Sequence, residues 1–257
     1  MPREEAPPAA DPWAPLRPYT PARIGLGRTG DAPPLRSVLD FQMAHARARD
    51  AVRAPLDTAA LLAGLEGMPA LEVRSQAPDR GTYLRRPDLG RRLDPACLPA
   101  LPRGGWDVVF VLADGLSATA VQRHAPPLLR ALLPALGGLR VAPVVVAREA
   151  RVALGDEIGA TMGAGLAAVL IGERPGLSVA DSLGAYLTHA PRGGRRDAER
   201  NCVSNIHPHG GLSYAAAAGK IAWLLREALR RGLTGVALKD EQPVLEGGTG
   251  APALGGG

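Results

Sequence analysis

Six consecutive apolar residues, Leu166-Ala-Ala-Val-Leu-Ile171, run directly into Gly172-Glu-Arg-Pro-Gly176, and this junction limits the fold more than any other stretch of the chain. The run is too short to span a membrane and too uniform for a strand with one wet face. It predicts a central strand buried on both sides, as in a parallel sheet covered by helices above and below. In the loop that follows, two glycines allow close backbone approach to a ligand and Pro175 fixes the turn between them. Ligands of open α/β sheets sit outside the carboxyl ends of the strands, so a binding site is expected here first.

The rest of the second half fits such a sheet. Asp107 to Ala113 reads as an apolar strand, Asp114-Gly115 as a turn, and Ser117 as the cap of a helix running toward Arg123. A further helix over 127–136, a strand over 141–147 and a helix from about Gly155 continue the alternation. The expected fold class is α/β, a Rossmann-like, doubly wound, mostly parallel sheet. Beyond it come a segment 183–187, a loop 191–200, a strand 202–206, a helix 214–231 and a final short strand 236–238.

The first half reads differently. Residues 1–16 are rich in proline and alanine without periodicity and predict a disordered N-terminus. Asp31 is expected to cap a helix with the stripe Leu35, Val38, Leu39, Met43 and Ala46, ended by Pro55, and a shorter helix follows from Asp57 to Glu66. Between Asp79 and Leu93 five arginines alternate with carboxylates and turn residues. That pattern suits a pairing surface for a partner protein or phosphate, or a plain solvated loop. The composition changes at Pro102-Arg-Gly-Gly105. This divides a small helical N-terminal domain, 17–101, from the sheet domain, 102–240, with a flexible tail over 241–257.

Composition narrows the function classes. No apolar run reaches the roughly 18 residues of a transmembrane helix, and Met1-Pro-Arg-Glu-Glu5 begins no signal peptide, so a cytoplasmic protein with no membrane association is expected. Two cysteines, Cys97 and Cys202, are too few for a disulfide framework or a cysteine zinc site. The net charge is +5, but aromatic residues make up only 4% and many arginines are interleaved with acids, which argues against nucleic acid as a partner.

Catalytic signatures are absent. Gly25-Leu-Gly-Arg-Thr-Gly30 is a literal G-x-G-x-x-G, yet it lacks the strand before it and the helix within it that dinucleotide binding needs. There is no Walker loop, G-x-S-x-G or H-E-x-x-H, and His207-Pro-His209 has no obvious further metal ligand nearby. Glu173 follows a strand that should be buried, so its carboxylate either pairs with an arginine such as Arg174 or accepts hydrogen bonds from a ligand. Cys202 at a strand start reads as a small buried hydrophobe, and Val152 by itself indicates nothing.

Five segments in one order carry a family resemblance. They are Thr20 to Gly30, Tyr83 to Leu93, Ala113 to Ser117, Gly172 to Leu177, and Asp197 to Ile206. Together they resemble the small (light) subunit of ethanolamine ammonia-lyase, over about residues 16–240. The resemblance implies a lyase converting ethanolamine to acetaldehyde and ammonia with adenosylcobalamin, whose cobalt–carbon bond breaks homolytically to start the radical chemistry. It implies that the substrate site lies in a large, barrel-shaped subunit, that this chain is not catalytic alone, and that the two form a higher hetero-oligomer. By the family's motifs, Val152, Glu173 and Cys202 are the implied cobalamin contacts.

Adenosylcobalamin is expected to keep its own lower base, because the sequence has no D-x-H-x-x-G. Family members packaged in bacterial microcompartments resemble one another in an extended N-terminal segment with an amphipathic helix, which the Pro-rich start of this chain does not match. The competing reading is a stand-alone cobalamin-binding or regulatory module without its own catalysis.

Overall fold

In the computed structural model the described residues are 11–20 and 22–241. The disorder expected for residues 1–10 and the flexible tail beyond 241 lie outside them; residues 12–16 form consecutive turns. Six strands build one sheet in the order β1-β3-β2-β4-β5-β6. They are β1 (Ala70–Arg74), β2 (Val108–Ala113), β3 (Val144–Arg148), β4 (Leu166–Gly172), β5 (Leu183–His189) and β6 (Asn201–Ile206).

The apolar run beginning at Leu166 is an interior strand, buried along its whole length. Its side chains alternate between two cores. Leu166, Ala168 and Leu170 join one, and Ala167, Val169 and Ile171 the other. Phe110 and Leu112 of β2 face the first core while Val109 and Val111 face the second. Helices α4 (Ala118–Leu132) and α6 (Tyr214–Arg231) cover the first face, and α5 (Leu154–Met162), with Leu93 and Leu101, covers the second.

The sheet is mixed. β1, β3, β2 and β4 are parallel, but β5 returns antiparallel to β4, and β6 antiparallel to β5. A parallel return needs a crossover of a dozen or more residues, usually helical, and no helix lies between β4 and β5 or in their link 173–182.

Other local expectations change for identifiable reasons. The helices expected around Arg123 and over 127–136 are one helix, α4, followed by a 3-10 turn, Leu133–Leu136. Pro126 and Pro127 sit inside it, because the apolar stripe Val121, Ala125, Leu128, Leu129 and Leu132 continues across them into the core. Residues 235–237 form a 3-10 turn and not a strand, with Gly235 at a φ of +84°. Ala70–Arg74, within the region expected to be helical, is an edge strand of the main sheet.

Helices α1 (Leu35–Arg53), α2 (Thr58–Gly64) and α3 (Arg80–Arg85) lie in the first half of the chain. Pro34, not Asp31, occupies the N-cap of α1 and makes no side-chain capping bond. No residue of α1 is buried, and Leu35, Leu39, Phe41 and Met43 are exposed. No helix among the described residues is long and apolar enough to cross a membrane.

Candidate functional site

Three parallel strands end side by side, and the chain after each contributes to one region. After β2 come Asp114, Gly115 and Leu116; after β3, Glu149 to Val152; after β4, Glu173 and Arg174. The first and third are tied together by the Leu116 N–H, which donates to the Gly172 carbonyl at 3.0 Å. Both positions demand glycine. Gly115 has a φ of +55°, and a Cβ on Gly172 would stand 2.0 Å from the Ser117 carbonyl oxygen. Ser117 caps α4, accepting the Ala120 N–H at 3.3 Å.

The second strand end is held by Asp114. This carboxylate is 1% exposed and accepts the N–H groups of Glu149 and Ala150 at 2.8 and 2.9 Å. It thereby fixes Glu149 in the left-handed region, at a φ of +49°, a conformation that costs a non-glycine residue about 1–2 kcal/mol. Arg80 bridges Asp114 and Glu149 at 3.4 and 3.2 Å. Burial, and then the Glu149 charge, push the Asp114 carboxyl up to about 6 against the pull of these donors.

Arg80 also belongs to a stack. Its guanidinium carbon lies 4.8 Å from the centre of the Tyr83 ring, and that of Arg151 lies 4.7 Å from it. Tyr83 is 1% exposed and donates its hydroxyl to the Ala150 carbonyl at 3.2 Å. Burial raises its phenol well above the usual tyrosine range. The Asp79–Leu93 segment therefore supplies a buried anchor as well as exposed arginines.

These pieces enclose a cleft of about 850 Å³, whose walls include Val152, Glu173, Gly172, Arg151 and Tyr186. Val152 and Glu173 are brought together here from different strand ends. Cys202 is one strand further on and lines a separate cleft of about 260 Å³ with Lys220 and Leu224. It pairs across the strands with Tyr186, which lines the larger cleft, so Tyr186 connects Cys202 to that cleft. Cys202 keeps an exposed face on the edge strand instead of being a fully buried hydrophobe. Partial burial raises its thiol, the Tyr186 hydroxyl opposes this, and the nearby Glu173 carboxylate adds to the rise. Burial pushes Tyr186 up to about 12.

Glu173 has partners that sequence reasoning did not identify. Its Oε2 accepts the Ser182 hydroxyl at 2.6 Å, and both carboxylate oxygens lie 3.3–3.4 Å from the Asn205 N–H; Arg174 makes no bond to it. Gly184 makes room underneath, since a Cβ there would come within 2.9 Å of Oε1. Two long contacts and one short one leave acceptor capacity on the carboxylate. Tyr186, Arg151 and Asp114 also shape the site; the only sequence sign of Asp114 was its place immediately after a strand.

Other features lie apart. A cleft of about 1000 Å³ between α1 and the 176–181 loop contains none of the three implied contacts. His207 is buried, with Nε2 2.9 Å from Asn205 Oδ1 and Nδ1 accepting the His209 N–H at 3.2 Å. Among the described residues no group of His, Cys, Asp or Glu suited to a metal ion occurs. Residues 25–30 run without helix or strand.

Comparison with known proteins agrees over nearly the full length. A family model described as Ethanolamine ammonia-lyase light chain (EutC) matches residues 10–239. Proteins named ethanolamine ammonia-lyase small subunit are similar throughout. That of Bradyrhizobium diazoefficiens is 57% identical over 246 residues, covering 90% of this chain and 94% of its own length. Those of Azotobacter vinelandii and Rhodococcus erythropolis are 53% and 52% identical, covering 97% and 92% of this chain and 96% and 93% of their own. The chain belongs to the family of ethanolamine ammonia-lyase small subunits.

Proposed function

We propose that this chain is the small subunit of an adenosylcobalamin-dependent ethanolamine ammonia-lyase and binds the cofactor jointly with a large subunit that carries the substrate site. The observation that most supports this reading is the meeting of Val152 and Glu173 in one cleft at the carboxyl ends of the parallel strands, with Tyr186 linking Cys202 to it.

The donor set suits the cofactor's chemistry. The rim of cobalamin is a ring of neutral amides, which need strong acceptors and exposed backbone. Glu173 offers a carboxylate with capacity to spare, and its position is fixed by Ser182 and Asn205 before any ligand arrives. Val152, half-buried, presents an apolar surface that keeps water from the covered face. Cys202 stays a neutral thiol, so it packs and donates weakly without introducing charge. When bound, adenosylcobalamin supplies the radical chemistry; the residues of this chain hold and shield it.

Acetaldehyde formation from ethanolamine and adenosylcobalamin tests the proposal, using this chain alone, the large subunit alone, and the two co-expressed. Activity in the co-expressed sample only is the expected result. A correctly assembled complex with no activity would show that the substrate assignment is wrong.

A further inference from the structure

Arg151 and Arg91 line the same cleft, and each is without a carboxylate partner among the described residues. Arg174 and Arg196, on the loops after β4 and β5, also line it without a carboxylate partner among the described residues, but other arginines nearby differ. Arg80 is paired with Asp114 and Glu149, Arg86 with Asp88, and Arg195 with Glu199. Arg151 and Arg91 are also adjacent. The Arg151 N–H donates to the Gly90 carbonyl at 2.8 Å, and a Cβ on Gly90 would stand only 3.2 Å from Arg151 Cγ.

The Arg151 guanidinium is oriented in advance. It lies over the Tyr83 ring, and its Nη2 donates to the Tyr83 carbonyl at 3.4 Å. Its Nε is buried without a partner. A half-buried cation with no counter-ion is unfavourable by itself, and an anion arriving in the cleft would offset that cost. Five arginines against two carboxylates line the cleft, an excess of positive charge that neutral amides do not call for.

Adenosylcobalamin carries one anionic group, the phosphodiester joining the corrin to its lower base. Arginine forks match such oxygens bidentately. We propose that Arg151 and Arg91 form the seat of this phosphodiester, at a part of the cleft separate from Glu173, whose carboxylate would repel it. The inference rests on the cobalamin reading above and adds a charge-selective subsite to it.

The test uses the co-expressed complex of this chain with the large subunit and reads equilibrium binding from corrinoid absorbance. Three probes are compared: adenosylcobalamin, adenosylcobinamide phosphate, and adenosylcobinamide, which lacks phosphate and base. Arg151→Gln and Arg91→Gln should each weaken the two phosphate-bearing probes about tenfold or more, the worth of a charge-assisted hydrogen bond. They should leave adenosylcobinamide unchanged, and Arg151→Lys should recover part of the loss. Arg91 is exposed, so Arg91→Gln remains a test even where Arg151→Gln fails to assemble. Equal weakening of all three probes, or of none, would overturn the subsite. Failure of the unmodified complex to bind any of them would instead remove the cobalamin reading itself.

Discussion

Arg200 meets Asp156 through two parallel hydrogen bonds of 2.7 Å, with 1% and 3% of the two side chains exposed. Arg200 also donates to Thr188 Oγ1 at 2.7 Å and to the Arg195 carbonyl at 3.1 Å. The pair thus ties the first turn of α5, which follows the parallel strand β3, to the antiparallel strands β5 and β6. Residues 195–197, which line the candidate cleft, are held by the same arginine.

Asp156→Ala leaves that guanidinium buried and uncompensated, because its remaining partners are neutral and Asp197 is 3.6 Å away and exposed. A loss of about 3–5 kcal/mol is expected. Urea unfolding of the purified chain measures it; a loss below about 1 kcal/mol would mean that water reaches Arg200 and the pair contributes little.

Gly184→Ala places a methyl group 2.9 Å from Glu173 Oε1 and 3.3 Å from its Cγ. The carboxylate must move off Ser182 and Asn205 to accommodate it. The fold should survive at a cost of about 1–2 kcal/mol, while adenosylcobalamin affinity of the co-expressed complex falls. Unchanged affinity would show that the position of Glu173 does not matter to the ligand.

Asp114 gives a pH dependence of definite sign. Its carboxyl titrates at about 6 in the folded chain, against an ordinary value of 3.8. Between these values the folded chain holds a proton that the unfolded chain has released. The group's contribution is therefore fully present below pH 3.8 and is lost as the pH rises through about 6. Asparagine does not titrate, so wild type should lose roughly 3 kcal/mol relative to Asp114→Asn between about pH 4 and pH 7. Denaturant unfolding at a series of pH values checks this. A difference that grows in favour of wild type toward pH 7 would mean that Arg80 and the two N–H donors outweigh burial.

Much of this architecture is legible in sequence, and the exceptions have physical causes. β2 and β4 are readable because burial on both faces requires unbroken apolar runs. β1 is harder to read, because Leu71 and Val73 alternate with Glu72 and Arg74 over only five residues and, at the sheet edge, Val73 alone is buried. The double proline of α4 suggests two helices, whereas an apolar stripe packed in the core carries one helix through both. The position of Glu173 after a buried strand marks it as important, but its partners, Ser182 at the end of the link to β5 and Asn205 in β6, are brought to it by an antiparallel return that no local signal announces. Asp156 and Arg200 lie 44 residues apart in sequence, and only the fold makes them a pair.

The most direct test of the account is equilibrium binding of adenosylcobalamin to this chain alone, to the large subunit alone and to the co-expressed complex, each followed by absorbance. The account predicts tight binding only in the complex, weakened about tenfold by Glu173→Gln with the complex still assembled, since the amide keeps one acceptor oxygen and loses the charge. Equal affinity for the large subunit alone and for the complex, with no effect of Glu173→Gln, would contradict a cofactor site shared by this chain.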